Sequence, residues 1–156
     1  MNKKAKIVVS KLIRKKIKLS LAESCTGGML AQSITSVNGA SNVFDFSIIT
    51  YSNQSKIKNL KISSKIIKKY GAVSEECCRS MVMNLRKISN AELNLAITGI
   101  AGPRGGTLKK PVGLVYIGIK KKNIVKIYKY LFLKKNRESI RRNSVKKSLE
   151  IIEKFI

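Results

Sequence analysis

Lys18-Leu19-Ser20-Leu21-Ala22 runs through Glu23-Ser24-Cys25-Thr26-Gly27-Gly28 into Met29 and a helical pattern that extends to about Val37. The first five residues read as a short buried strand, and the paired glycines close a turn before the helix. The alternation continues in both directions. Upstream, residues 3–18 read as a basic amphipathic helix with Ile7, Leu12, Ile13 and Ile17 available for one face. Downstream, Asn38-Gly39 signals a turn and residues 43–51 are rich in β-formers. Ser52-Asn53 can cap a short helix carrying Lys56, and Ser63-Ser64 start another that ends near Gly71. Ser74, followed by Glu75 and Glu76, opens a helix to about Lys87. Leu93 to Thr98 is an apolar strand entering a glycine-rich loop, Gly99 to Gly106. Residues 112–120 and 124–133 read as a hairpin turning at Lys121-Lys122-Asn123, and Asn136 can cap a last helix to about Lys154. Mixed strands and helices predict an α/β fold, its largely buried sheet covered by helices, as one domain over residues 1–156.

Composition narrows the chemistry. The 156 residues suffice for a sizeable core without a disulfide or metal staple. There is no histidine, which removes every Ser-His-Asp and Cys-His mechanism and the commonest metal ligand. Asp45 is the one aspartate, so an aspartate cluster for magnesium is out. Cys25, Cys77 and Cys78 fit neither a disulfide framework nor a zinc spacing and read as free thiols of a reducing compartment. No apolar run approaches the ~18 residues of a membrane span, and the N-terminus lacks a signal-peptide core. A soluble, cytoplasmic protein with no membrane partner, metal or cofactor is expected. Against 33 Lys+Arg stand 8 Asp+Glu, a formal charge of +25. Lysine dominates that excess, and Ile and Asn are abundant, as in AT-rich coding sequence. Nucleic-acid readers favour arginine and interleaved aromatics. A polyanion or nucleic-acid partner is therefore possible but not favoured.

Four segments could carry chemistry. In Glu23-Ser24-Cys25-Thr26-Gly27-Gly28 a strand end can expose a hydroxyl while helix-start amides face the same space; the plain alternative is a capped turn. In Thr50-Tyr51-Ser52-Asn53-Gln54-Ser55-Lys56, lysine is the standard substitute for a missing histidine base. An ordinary lysine is neutral in only about 1 molecule in 2,500 at pH 7, and bringing its pKa near neutrality costs roughly 4 kcal/mol. Burial could do this. Tyr51 could relay a proton or orient the amine, whereas a lysine on a solvated face would do neither. The loop Gly99-Ile100-Ala101-Gly102 to Gly106 can present N–H groups to phosphate, or merely connect strands; its spacing is neither a Walker loop nor a dinucleotide fingerprint. Arg137 and Arg141, four apart at a helix start, share one face and could bind phosphate or stand in solvent.

Taken together, LAESCTGGMLA (21–31), ITYSNQSK (49–56), YGAVSEE (70–76), TGIAGPRGGTLKKPVGLVYIGI (98–119) and NRESIRRNSV (136–145) resemble the CinA carboxy-terminal domain family, whose members include stand-alone nicotinamide-nucleotide amidohydrolases. The resemblance implies a three-layer α/β/α domain with a central mixed sheet. It implies hydrolysis of nicotinamide mononucleotide, a pyridine nucleotide, to nicotinate mononucleotide and ammonia. It places a Ser/Lys acyl-enzyme mechanism on Ser24 and Lys56 with Tyr51 assisting. Thr26, Gly27, Gly28, Gly99, Ala101 and Gly102 would hold substrate or its oxyanion, and Arg137 and Arg141 its phosphate. A homo-oligomer is expected. Two departures stand out. Arg104 occupies a position where the family commonly has an acid. Many members also carry an N-terminal domain related to molybdopterin-binding proteins, which 156 residues are not expected to include. The competing readings are a polyanion-binding or a regulatory protein on a degenerate enzyme scaffold.

Overall fold

Every residue of β1, Leu19–Glu23, is buried, because parallel strands flank it on both sides: β2, Phe44–Ile49, and β3, Leu93–Gly99. The computed structural model describes residues 2–133 and 135–156. β4, Leu114–Lys121, lies antiparallel to β3, and β5, Ile124–Leu131, antiparallel to β4, giving the order β2-β1-β3-β4-β5. The sheet is mixed, as expected.

Alternation along the strands supplies two apolar faces. Leu19, Leu21, Leu93, Leu95, Ile97, Val115, Ile117 and Ile119 meet α1 (Asn2–Lys15), α2 (Met29–Thr35) and α6 (Arg137–Phe155) in one cluster. On the other face Ala22 and Ala96 pack with Cys77, Met81, Val82 and Leu85 of α5 (Glu75–Ile88), flanked by α3 (Asn53–Leu60) and α4 (Ser64–Tyr70). The result is three layers, α/β/α.

Two helix details differ from the sequence reading. α1 ends at Lys15, and Lys16 turns left-handed. Its buried stripe is Ala5, Val8, Val9 and Leu12; of the expected face Leu12 is buried and Ile17 partly so, whereas Ile7 and Ile13 are exposed. Spacings of three and four put 5, 8, 9 and 12 on one side of the helix. α2 stops at Thr35, where the Ser33 and Thr35 hydroxyls donate to carbonyls one turn back. The caps are as read: Ser52, Ser74 and Asn136 side chains accept from the N–H groups of Ser55, Cys77 and Ser139. The hairpin turn falls at Lys122-Asn123, pairing Lys121 with Ile124. Just before β4, Gly113 sits at φ +96, where an added Cβ would lie 2.3 Å from the Phe132 carbonyl oxygen. That turn therefore requires glycine.

Candidate active site

The carboxyl ends of the three parallel strands β1, β2 and β3 point to the same edge of the sheet. Chain leaving β1 turns toward β2, whereas β3 lies on β1's other side. In open α/β sheets such a reversal leaves a crevice beyond the strand ends, the usual place for a ligand. Ser24 follows β1, Thr50 and Tyr51 follow β2, and Gly99 to Gly102 end or follow β3. A cavity of about 230 Å³ opens there, lined by Ser24, Cys25, Tyr51, the Gly99–Gly102 segment, Arg104, Gly105 and Arg137.

Lys56 reaches this crevice from the first turn of α3, whose start the Ser52 cap fixes. Its Nζ lies 2.8 Å from Ser24 Oγ, 2.8 Å from the Thr50 carbonyl oxygen and 3.4 Å from that of Tyr51. Lys56 is 1 % exposed. Burial pulls its pKa below the ordinary 10.5, since the ammonium loses its hydration. The nearby Cys25 and Cys77 would oppose this only as thiolates, and burial raises both thiols, Cys25 to about 12. A neutral amine suits these partners. Its two hydrogens match the two carbonyls, and its lone pair can take the Ser24 hydroxyl hydrogen. Cys25, protonated at neutral pH, is no rival nucleophile.

Glu23, immediately before Ser24, is fully buried without a cationic side chain paired to it among the described residues. Its carboxylate instead accepts from the backbone N–H groups of Gly28 (3.0 Å), Leu30 (3.2 Å) and Ala31 (2.8 Å). It thus closes the Ser24–Gly28 turn against the start of α2. The sequence reading missed this residue, although an acid just upstream of a helix start was the available signal. The carboxylate also engages the Gly28 amide, while Gly27 N–H donates to the Ser24 carbonyl. Cys25 N–H has no backbone or side-chain oxygen partner among the described residues.

The remaining expected residues divide between lining and bracing. Gly99, Ala101 and Gly102 line the cavity. An added Cβ at Gly99 would stand 2.7 Å from Val115 Cγ2 and 3.1 Å from Cys25 Sγ, so β3 comes close to the Ser24 turn only as glycine. Thr26, Gly27 and Gly28 lie outside the lining; Thr26 is buried, its hydroxyl without a partner among the described residues. Arg141 donates to the Thr26 carbonyl at 2.7 Å, so it braces the Ser24 turn from α6. Arg137 lines the cavity and is doubly engaged, by the Gly102 carbonyl at 2.8 Å and the Tyr51 hydroxyl at 2.6 Å. The Tyr51 hydroxyl therefore faces Arg137, and only the Tyr51 backbone touches Lys56.

Comparisons with known proteins agree with this fold. The family model of the CinA C-terminal domain matches residues 1–156. A CinA-like protein of Prochlorococcus marinus is 48% identical over 141 residues, 89% of this chain and 33% of that protein. A CinA-like protein of Fusobacterium nucleatum is 48% identical over 142 residues, 91% of this chain and 34% of that protein. The chain spans about a third of the length of the curated relatives it matches. The crystal structure of the competence/damage inducible protein CihA from Agrobacterium tumefaciens superposes with a TM-score of 0.94 at 34% identity, covering 97% of this chain and 92% of that one. A CinA superfamily protein of Escherichia coli gives 0.94 at 26% identity, covering 99% and 90%.

Proposed function

From the premise that the chain belongs to the CinA C-terminal domain family, we propose that it is an amidohydrolase that converts nicotinamide mononucleotide and water to nicotinate mononucleotide and ammonia. The observation that carries this reading is the buried contact of 2.8 Å between Lys56 Nζ and the Oγ of Ser24, a residue that lines the crevice. In a chain without histidine, it pairs a nucleophile with a base of lowered pKa.

In this mechanism Ser24 Oγ attacks the carboxamide carbon as its proton passes to Lys56. The tetrahedral oxyanion is met by backbone amides lining the cavity, with Cys25 N–H and the Ala101–Gly102 segment as donors. Collapse breaks the carbon–nitrogen bond, and Lys56 returns the proton to departing ammonia. Water then attacks the acyl-serine, Lys56 takes a water proton, and Ser24 recovers its hydrogen as nicotinate mononucleotide leaves. The Thr50 and Tyr51 carbonyls hold the amine in line throughout. Incubating the purified chain with nicotinamide mononucleotide tests this. Ammonia and nicotinate mononucleotide are expected in equal amounts; folded protein that turns over no pyridine carboxamide nucleotide would sink the reading.

One observation favours a second reading, polyanion binding. At the opposite edge of the sheet, Lys121, Lys122, Lys126 and Lys154 line a surface hollow of about 430 Å³ together with Ile124 and Phe155. Salt-titrated binding to DNA and RNA discriminates. This reading requires affinity that falls steeply with salt and is indifferent to Ser24→Ala; absence of binding at low salt rejects it.

A further inference from the structure

The cavity beside Ser24 is lined by two cations, Arg104 and Arg137, and no carboxylate. They are not equivalent. Arg137 already spends donors from both terminal nitrogens on the Gly102 carbonyl and the Tyr51 hydroxyl, and so acts as a clamp between the glycine loop and the segment after β2. Arg141, the other arginine expected at the site, is tied to the Thr26 carbonyl and lies outside the lining. Arg104 is exposed and makes no hydrogen bond or ion pair with any described residue, leaving all five of its N–H donors for a ligand. It stands at the mouth. Arg104 and Gly105 line both the Ser24 cavity and an adjoining open groove of about 480 Å³ that continues along Gly106, Thr107, Leu108 and Val112. The backbone N–H groups of Arg104 and Gly105 also have no partner among the described residues. A free guanidinium beside unpartnered backbone amides can serve as a site for a tetrahedral anion.

We propose that Arg104 is the residue through which this chain recognises the phosphoryl group of its substrate, so that it selects carboxamide nucleotides over carboxamide nucleosides. The inference rests on the amidohydrolase reading for the identity of the reacting end, where Ser24 and Lys56 take the amide. For the anion end it rests on Arg104 alone. It assigns Arg137 to holding the loop and Arg104 to the phosphate.

Two measurements on the full chain test it. In the Ser24→Ala protein, calorimetric titration with nicotinate mononucleotide and with inorganic phosphate reads anion binding without turnover. Arg104→Ala added to that protein is expected to weaken both about tenfold, and Arg104→Lys to weaken them less, since a single ammonium replaces a bidentate fork. In the active protein, the ratio of kcat/KM for nicotinamide mononucleotide over nicotinamide riboside is expected to fall about tenfold with Arg104→Ala and further with Arg104→Glu. Unchanged anion binding in Arg104→Ala, or equal losses on nucleotide and nucleoside, would overturn the proposal. A protein that binds phosphate through Arg104 but hydrolyses no carboxamide would leave the anion site standing and remove the amidase reading. Turnover that persists with its nucleotide preference intact in Arg104→Ala would remove this inference alone.

Discussion

At the scale of single residues, the proposed chemistry depends on a lysine held where charge is costly. Lys56 is active as a base only when neutral, so kcat/KM should climb with pH through its lowered pKa, well before the ordinary 10.5. Lys56→Ala should lose about 10²–10⁴-fold in rate together with that limb; a pH–rate profile of the two proteins shows both. Stability carries the same signature with a definite sign. Between the lowered pKa and 10.5 the folded chain binds fewer protons at this site than the unfolded chain, so stability rises with pH there. Denaturant midpoints should move in favour of the wild type over Lys56→Met as pH rises toward the ordinary lysine pKa of 10.5. Glu23 makes the complementary case. Three backbone N–H groups point at its buried carboxylate, and Glu23→Gln, which turns one acceptor into a donor facing them, should cost about 2–3 kcal/mol in a urea melt. The Ser24 and Lys56 candidates were legible through the resemblance that their motifs carry, since the absence of histidine still leaves a chain full of lysines. Glu23 offered only its place just upstream of a helix start, because its role depends on amides that converge once α2 has formed.

At the scale of elements, what the sequence made legible was local. Caps at Ser52, Ser74 and Asn136 announce their helices, since each side chain needs only the next turn for its hydrogen bond. β2, β4 and β5 announce themselves by β-formers, and β1 and β3 by short apolar runs. The face of α1 was misread because nothing local says that Ala5 and Val8, rather than Ile7 and Ile13, will meet the neighbouring helices. The parting of Arg137 and Arg141 was likewise illegible. Both lie on α6, yet one reaches the glycine loop and the other the Ser24 turn, a difference set by how α6 crosses the end of the sheet. The turn into β4 is the most sequence-specific joint of the frame. Gly113→Ala would force a left-handed residue and a clash with the Phe132 carbonyl, and should cost at least about 2 kcal/mol. Thermal melts of that variant check it, and an unchanged midpoint would mean that the Gly113–Phe132 approach relaxes freely.

At the scale of the whole molecule, a charge of +25 on 156 residues sets lysine against lysine over most of the surface. Acids relieve it locally: Glu153 accepts from Lys4 and Lys11 and so links α6 to α1, which holds its carboxyl down to about 2. Elsewhere self-repulsion is screened only by ions. Melting temperature should therefore rise as sodium chloride goes from about 10 mM to about 150 mM, where the Debye length shortens to about 8 Å; a flat or falling trend would show that repulsion does not limit stability. The charge sits mostly away from the crevice, and the three-layer frame serves to bring Ser24 from one strand end and Lys56 from the helix after another into a contact of 2.8 Å. Whether that contact performs the chemistry is tested most directly by ammonia release from nicotinamide mononucleotide in the wild type, Ser24→Ala and Lys56→Ala, with circular dichroism confirming that all three are folded. Turnover by the wild type and its loss in both folded variants is the expected result; turnover that survives in either variant at the wild-type rate would contradict the Ser24–Lys56 dyad.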